Sequence, residues 1–173
     1  MVKSILLYIM LLISTNLCAQ INKIGTWNLS IGADGIFPEN NFKKTHNGGF
    51  GGTIKGEYLF SKHTSVTISS GFYTLAPKTN ILNPDGQRVH GITLKVGGRY
   101  YFDKFYFGGE AGWLNQSGFK SNNGFVYSFF LGDELIAGKN GNSLDISLRH
   151  EAWVTDQTRA FIGLRLAYEF RIN

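Results

Sequence analysis

The sequence predicts an all-β fold: an eight-stranded antiparallel up-and-down β-barrel that crosses a membrane. Three observations carry this expectation. Past residue 24 apolar residues recur with a period of two, not 3.6; tight and long connections tend to alternate; and aromatics of the apolar face collect at strand ends. Composition agrees. Charged residues make up 17% of the chain, against roughly 25% in an ordinary soluble domain. Glycine is 22 of 173 residues and aromatics are 14%. Three prolines and 43% hydrophobic residues exclude collagen-like and disordered classes. A mean hydropathy of −0.08 excludes a bundle of membrane helices.

The first 19 residues, MVKSILLYIMLLISTNLCA, stand apart from this pattern. Lys3 supplies a positive start, Ile5 to Ile13 an apolar core, and Ala19 a small residue before Gln20. This is the pattern of a cleaved secretory signal, and the apolar run is too short for a spanning helix. Leu17 before Cys18 is too bulky for a lipoprotein signal. Residues 1–19 are therefore expected to be removed and 20–173 to form one barrel domain. Cys18 is the sole cysteine, so the exported chain is expected to hold together without disulfides.

Strands are expected at about 25–33, 50–60, 64–75, 89–102, 105–115, 124–135, 143–154 and 159–172. The last is clearest: Ala160, Ile162, Leu164, Leu166, Tyr168, Phe170 and Ile172 alternate with Arg159, Phe161, Gly163, Arg165, Ala167, Glu169 and Arg171. In the strand at 143–154, Leu144, Ile146, Leu148, His150, Ala152 and Val154 alternate with Ser143, Asp145, Ser147, Arg149 and Glu151. In that at 89–102, Ile92, Leu94, Val96, Gly98, Tyr100 and Phe102 oppose Thr93, Lys95, Gly97, Arg99 and Tyr101. No stretch forms an amphipathic helix.

Tight turns are expected at Ser61-Lys62-His63, at Asp103-Lys104 and through Gly138-Lys139-Asn140-Gly141, where Asn140-Gly141 suits a primed hairpin turn. Long loops are expected from Asp34 to Gly49 and around Pro77 to Gly86, an intermediate one from Gln116 to Asn123, and a shorter one at Asp156-Gln157-Thr158. Short turns on one side and longer loops on the other characterise bacterial outer-membrane barrels.

Alternation alone leaves open which face points outward, since a soluble lipocalin-type barrel turns its apolar face inward around a ligand. The aromatics favour lipid outside. Trp27, Tyr58, Phe60, Tyr100, Phe102, Phe105, Phe107, Tyr168 and Phe170 fall at the short-turn end, and Phe72, Trp113, Phe125 and Tyr127 near the loops. Two such bands match the girdles at membrane–water interfaces. The opposite face carries Lys55, Lys95, Arg99, Arg149, Arg165 and Arg171 against Glu57, Glu110, Asp145, Glu151 and Glu169. Buried charge is tolerable when paired, so these eleven residues are the expected lumen network. Gly71, Gly97, Gly108 and Gly163 are expected to make room for them in an interior only as wide as side chains.

The segment GGRYYFDKFYFGGEAGW (Gly97 to Trp113) and the closing FIGLRLAYEF (Phe161 to Phe170) resemble the small outer-membrane β-barrel proteins of Gram-negative bacteria, the OmpA/OmpX-like group. The resemblance spans residues 20–173. It implies an outer-membrane location, a monomer, outer-membrane lipid and lipopolysaccharide as surroundings, and handling by the barrel-insertion machinery, which reads an aromatic C-terminal strand. This chain ends Arg171-Ile172-Asn173 instead of on an aromatic. Members of the group include structural barrels, adhesion and resistance factors and a few lipid-modifying enzymes.

No enzymatic motif emerges. One lipid A deacylase family is similar at Leu148-Arg149-His150 but places a serine two residues after the histidine, where this chain has Ala152. His46, His63 and His90 lack metal-ligand spacing. Gly48-Gly49-Phe50-Gly51-Gly52 lacks the following helix that would present phosphate-binding amides and is expected to be a flexible loop. The net charge of +5 comes without the clustering of a nucleic-acid-binding face, so no nucleic-acid partner is expected. At the loop end Lys43, Lys44, Lys78, Arg88, Lys120 and Arg159 outnumber Asp34, Glu39, Asp85 and Asp156, a charge balance suited to lipopolysaccharide phosphates. The expectation is a non-enzymatic barrel without cofactor, lumen plugged by paired charges, with a structural or surface-interaction role. A narrow solute channel, a secreted lipocalin-like barrel and a lipid A-modifying enzyme are the alternatives.

Overall fold

The structure is a computed structural model that describes residues 24–137 and 141–172. The expected signal segment 1–19 and residues 138–140 of the expected hairpin turn lie outside the described residues. Eight strands follow in order: β1 (Trp27–Glu39), β2 (His46–Leu59), β3 (Thr64–Pro77), β4 (Val89–Phe102), β5 (Phe105–Gly118), β6 (Asn122–Ala137), β7 (Ser143–Val154) and β8 (Thr158–Ile172). Each pairs antiparallel with its neighbours in sequence, and β8 returns to β1 from Trp27↔Ile172 to Glu39↔Ala160, closing the barrel. Closure leaves no unpaired sheet edge. The strands have 12 to 16 residues, enough for the ~9–11 residues that a tilted strand needs to cross a bilayer.

The boundaries depart from expectation mainly at the loop end. β1 continues through Asp34 to Glu39, and β2 begins at His46. What the sequence suggested as a loop from Asp34 to Gly49 is mostly strand, and its middle is a helical turn, α1 (Asn40–Thr45). Asp34, expected among the loop-end acids, is instead buried in the lumen, because β1 runs on past it. The glycine run 48–52 is likewise strand, not flexible loop. Side chains at Gly49 and Gly51 would collide with Leu75 and the Tyr73 ring of β3. The short turns at 61–63 and 103–104 hold as expected, with Asp103 in a left-handed conformation (φ 60°) joining β4 to β5. A register shift between Glu134 and Ile136 puts a bulge in β6.

The two faces have opposite characters. Along β4, Ile92, Leu94 and Val96 are about half exposed, whereas Thr93 and Lys95 between them are fully buried. Along β8, Leu164, Leu166, Tyr168 and Phe170 face out while Arg165 and Glu169 are buried. In water this arrangement would forfeit the burial that drives folding and leave charges desolvated. It is consistent only with an apolar medium around the wall, where closed hydrogen-bonded barrels are one of the two stable spanning forms. An inward apolar face, as in a lipocalin-like barrel, is not what the structure has.

Candidate functional site

The distinctive chemistry lies inside the barrel, in charge layers beneath an aromatic layer. Towards the short-turn end, Arg99 on β4 sits 2.9 Å from Glu57 of β2 and 3.7 Å from Glu169 of β8. Tyr101 donates to Glu57 at 2.7 Å, Ser65 also donates to Glu57, and Asn28 donates to Glu169 at 2.8 Å. The Arg99 guanidinium also lies 4.3 Å from the centre of the Tyr106 ring, a distance suited to cation–π attraction. Beside it Arg165 donates to Ser30 at 2.9 Å and lies 3.4 Å from Asp145, which accepts from Tyr106 as well.

The middle layer centres on Glu110 of β5. It takes Lys55 at 2.8 Å and accepts from Thr67 at 2.9 Å and Ser69 at 2.8 Å, with Lys95 at 3.9 Å. Above it Lys95 donates to Glu151 of β7, and Trp153 donates its indole N–H to the same carboxylate at 2.9 Å. Arg149 bridges Glu151 (3.5 Å) and Asp34 (3.0 Å) and donates to the Tyr73 hydroxyl at 3.1 Å. Each carboxylate thus meets a cation or hydroxyl from another strand, which is the condition for tolerating buried charge. Lys55–Glu110 joins β2 to β5 and Lys95–Glu151 joins β4 to β7, so these two links cross the lumen, whereas Arg165–Asp145 and Arg165–Ser30 tie neighbouring strands along its wall.

Ten of the eleven residues expected in the network are buried there: Lys55, Glu57, Lys95, Arg99, Glu110, Asp145, Arg149, Glu151, Arg165 and Glu169. Arg171 is half-buried near the short-turn rim, beside Gly141. Asp34 and Glu134 are additional buried acids. Their inward parity was legible in the sequence, but Asp34 stands in a glycine-rich context and Glu134 beside the β6 bulge. Arg159, placed by sequence on the basic loop rim, is instead buried and donates to the Gln116 side chain at 3.1 Å.

Towards the loops the lumen turns apolar. Tyr73, Trp153 and Phe161 pack with Phe42 of α1, Phe119, Leu75, Leu114, Val89, Val126 and Ile36. Trp153 meets Phe42 and Phe161 edge-on at ring separations of 5.3 and 5.8 Å, a favoured aromatic geometry. Space comes from glycine: side chains at Gly51 and Gly71 would strike Tyr73, and one at Gly91 would strike Trp153. Gly97 and Gly108 leave no room for a side chain either, and Gly163 faces Arg149. The 78–88 segment lies over this layer. Asn83 donates to the Gln87 carbonyl (3.1 Å), Asn80 to the Lys44 carbonyl (2.6 Å), and Lys78 to the Lys43 carbonyl (2.7 Å). His46 is buried beneath it, its ring 5.1 Å from that of Phe119.

The remaining histidines lie apart. His63 stacks on Tyr100 and His90 on Phe72. His150 faces outward, its Nε2 3.6 Å from Glu39, and no hydroxyl stands at position 152. The aromatics expected as two girdles, from Trp27 and Phe170 at one end to Phe72 and Trp113 at the other, all lie on the outer face. Lys43, Lys44, Arg88 and Lys120 are exposed on the loop side.

No protein-family profile matches the sequence, and no curated protein matches it either. Solved structures do. The outer membrane protein OprG from Pseudomonas aeruginosa matches with a TM-score of 0.58 and 10% identity, covering 87% of this chain and 97% of that one. Ail, the attachment invasion locus protein of Yersinia pestis, matches with 0.61 and 16% over 86% and 100%. Neisserial surface protein A matches with 0.56 and 11% over 84% and 96%. At these identities the likeness is one of architecture. The chain has the fold of the small eight-stranded outer-membrane β-barrels.

Proposed function

We propose that this chain is a closed, non-conducting barrel of the outer membrane whose working surface is its loop-side rim. One observation supports this above others: the lumen is filled along its length, first by cross-strand ion pairs and then by the Tyr73–Trp153–Phe161–Phe42 layer. An eight-stranded barrel has an interior only wide enough for side chains, and here large ones occupy it. The filled lumen makes the wall rigid and leaves the rim to meet other molecules. Lys43 and Lys44 on α1, with Lys78, Arg88 and Lys120, give that rim a basic character. Its expected contacts are anionic groups such as lipopolysaccharide phosphates, attracted by charge within a Debye length.

Two measurements test this. Purified barrel in planar bilayers is expected to give no discrete single-channel steps, and reproducible steps in the wild-type protein would overturn the closed-lumen reading. Reversing Lys43, Lys44 and Lys78 to glutamate is expected to lower binding to lipopolysaccharide-coated surfaces and to flatten its salt dependence. Unchanged binding would remove the basic rim from the account.

A further inference from the structure

The 78–88 segment is fastened over the loop-side mouth where α1 meets β2. The Lys78 amide donates to the Thr45 carbonyl at 2.8 Å, and the Lys78 and Asn80 side chains reach the Lys43 and Lys44 carbonyls. Those anchors are backbone groups, which do not titrate. The remaining one does: His46 Nε2 lies 3.2 Å from the Gln87 carbonyl. Histidine is the side chain whose charge changes near neutral pH.

The neutral ring suits this position. The Gln87 carbonyl can only accept, so Nε2 carries the hydrogen and Nδ1 accepts from the Thr45 hydroxyl at 2.9 Å. The ring is fully buried, edge-on to Phe42 and Phe119 at 5.8 and 5.1 Å. The Arg159 guanidinium of β8 stands against the same two rings at 5.8 and 5.5 Å. Its partner is the Gln116 side chain, and among the described residues neither His46 nor Arg159 has a carboxylate partner. The other charged groups around the mouth are Lys43 and Lys44 of α1, Asp85 and Arg88 of the segment, Lys120 and Asp156. All six are exposed, while Lys78 is turned to the Lys43 carbonyl and Glu39 of β1 to the outward His150. A charge on His46 would therefore be desolvated beside a second cation, which is costly.

His46 pairs with Pro77, beyond Phe72 of the loop-side girdle, so it lies outside the spanning part of β2. Burial holds its ring below the ordinary imidazole value; the Gln87 carbonyl opposes this and the Arg159 charge adds to it.

We propose that His46 is a proton-sensitive latch: neutral, it holds the 78–88 segment over the aromatic layer, and protonated, it lets the segment lift from the mouth. Nδ1 takes the proton from water as the segment lifts. The open form binds that proton more readily than the closed one. Closure is therefore fullest above the ordinary imidazole value of about 6.5 and weakens as pH falls below it. Lifting bares Phe42, Phe119 and Arg159, while the ion-pair layers beneath keep the bore shut. The latch thus stands or falls separately from the closed lumen and the basic rim.

The test is hydrogen exchange of the folded barrel in lipid nanodiscs from about pH 7.5 to about pH 5, with each rate divided by the intrinsic rate at that pH. Two amides report on lifting: Lys78, bonded to the Thr45 carbonyl, and Phe119, bonded to the Arg88 carbonyl. Their protection is expected to fall about tenfold over that range while amides within β4 and β8 keep theirs. His46→Gln, uncharged and still able to donate to the Gln87 carbonyl, is expected to keep the segment protected throughout. Asp85→Asn removes the titrating carboxylate of the segment and is expected to behave as wild type. Imidazole resonances of the wild-type protein are expected to show His46 titrating with the midpoint of the exchange change, a readout that needs no variant to fold. Unchanged wild-type protection, a His46 midpoint apart from that of exchange, a folded His46→Gln that loosens as wild type does, or an Asp85→Asn that does not would each overturn the proposal.

Discussion

Replacing Lys95 or Glu151 tests whether the lumen network is desolvated, as its geometry requires. Both side chains are fully buried, and they are bonded directly to each other. Breaking a buried pair by removing one partner costs about 3–5 kcal/mol, because the other charge is left uncompensated. Lys95→Met leaves Glu151 with Arg149 at 3.5 Å and the Trp153 indole at 2.9 Å, so the lower end, about 3 kcal/mol, is expected. Glu151→Leu leaves Lys95 with Glu110 at 3.9 Å and the Tyr73 ring at 5.9 Å and takes the acceptor from Trp153, so about 4–5 kcal/mol is expected. The double variant removes both charges while Arg149–Asp34 and Lys55–Glu110 remain. It is expected to lie within about 2 kcal/mol of wild type, giving a strongly non-additive cycle. The assay is reversible urea unfolding in lipid vesicles, followed by tryptophan emission and gel mobility. Single variants costing under about 1 kcal/mol, with additive doubles, would indicate a solvated, screened lumen and refute the reasoning.

Other outcomes follow from the same geometry. Leu94→Arg, on the outer face of β4, is expected to cost about 2–4 kcal/mol in bilayers if it lies near the midplane. Gly51→Ala, which drives a methyl into the Tyr73 ring, is expected to cost about 1–3 kcal/mol and to be relieved in Gly51→Ala/Tyr73→Leu. Gly52→Ala, whose methyl would have no neighbour nearer than 3.7 Å, is expected to be nearly silent in the same assay. Trp153→Ala is expected to cost about 3–5 kcal/mol yet remain electrically silent in planar bilayers, because the ion-pair layers beneath still fill the bore.

Much of this architecture is written in residue parity. The alternation of β4, β7 and β8 separated lumen from wall, and with it ten of the eleven expected network residues, because a period-two pattern leaves each side chain only two faces. The same parity aligns Tyr73 with Thr67 and Ser69, and Trp153 with Arg149 and Glu151, but polar neighbours give no sign of an aromatic plug. Room for the rings comes from Gly71 on the strand of Tyr73 itself, and from Gly51 and Gly91 on other strands, which only the folded register brings opposite them. Phe42 and Phe119 sit in connections without periodicity, so nothing local marked them as parts of the plug. Asp34 and the 48–52 glycines looked like loop because charge and glycine usually signal solvent and turns; in a narrow barrel they are interior strand residues. Arg159 was assigned to the rim by its position at a strand end, while its partner Gln116 is distant in sequence. The outward pair His150–Glu39 joins β7 to the end of β1 across β8, a proximity that only the closed register supplies.

The three tryptophans test the central claim most directly, that an apolar wall meets lipid around a filled, dry lumen. Trp27 and Trp113 lie on the outer face, 54% and 48% exposed, and Trp153 is fully buried in the plug. Variants keeping one tryptophan each, with phenylalanine at the other two positions, are reconstituted in vesicles and exposed to brominated lipid or aqueous iodide. The account predicts strong quenching of Trp27 and Trp113 by brominated lipid, and Trp153 shielded from both quenchers. Iodide quenching of Trp153 would reveal an open lumen, and iodide without lipid quenching of Trp113 would place the wall in water; either result contradicts the account.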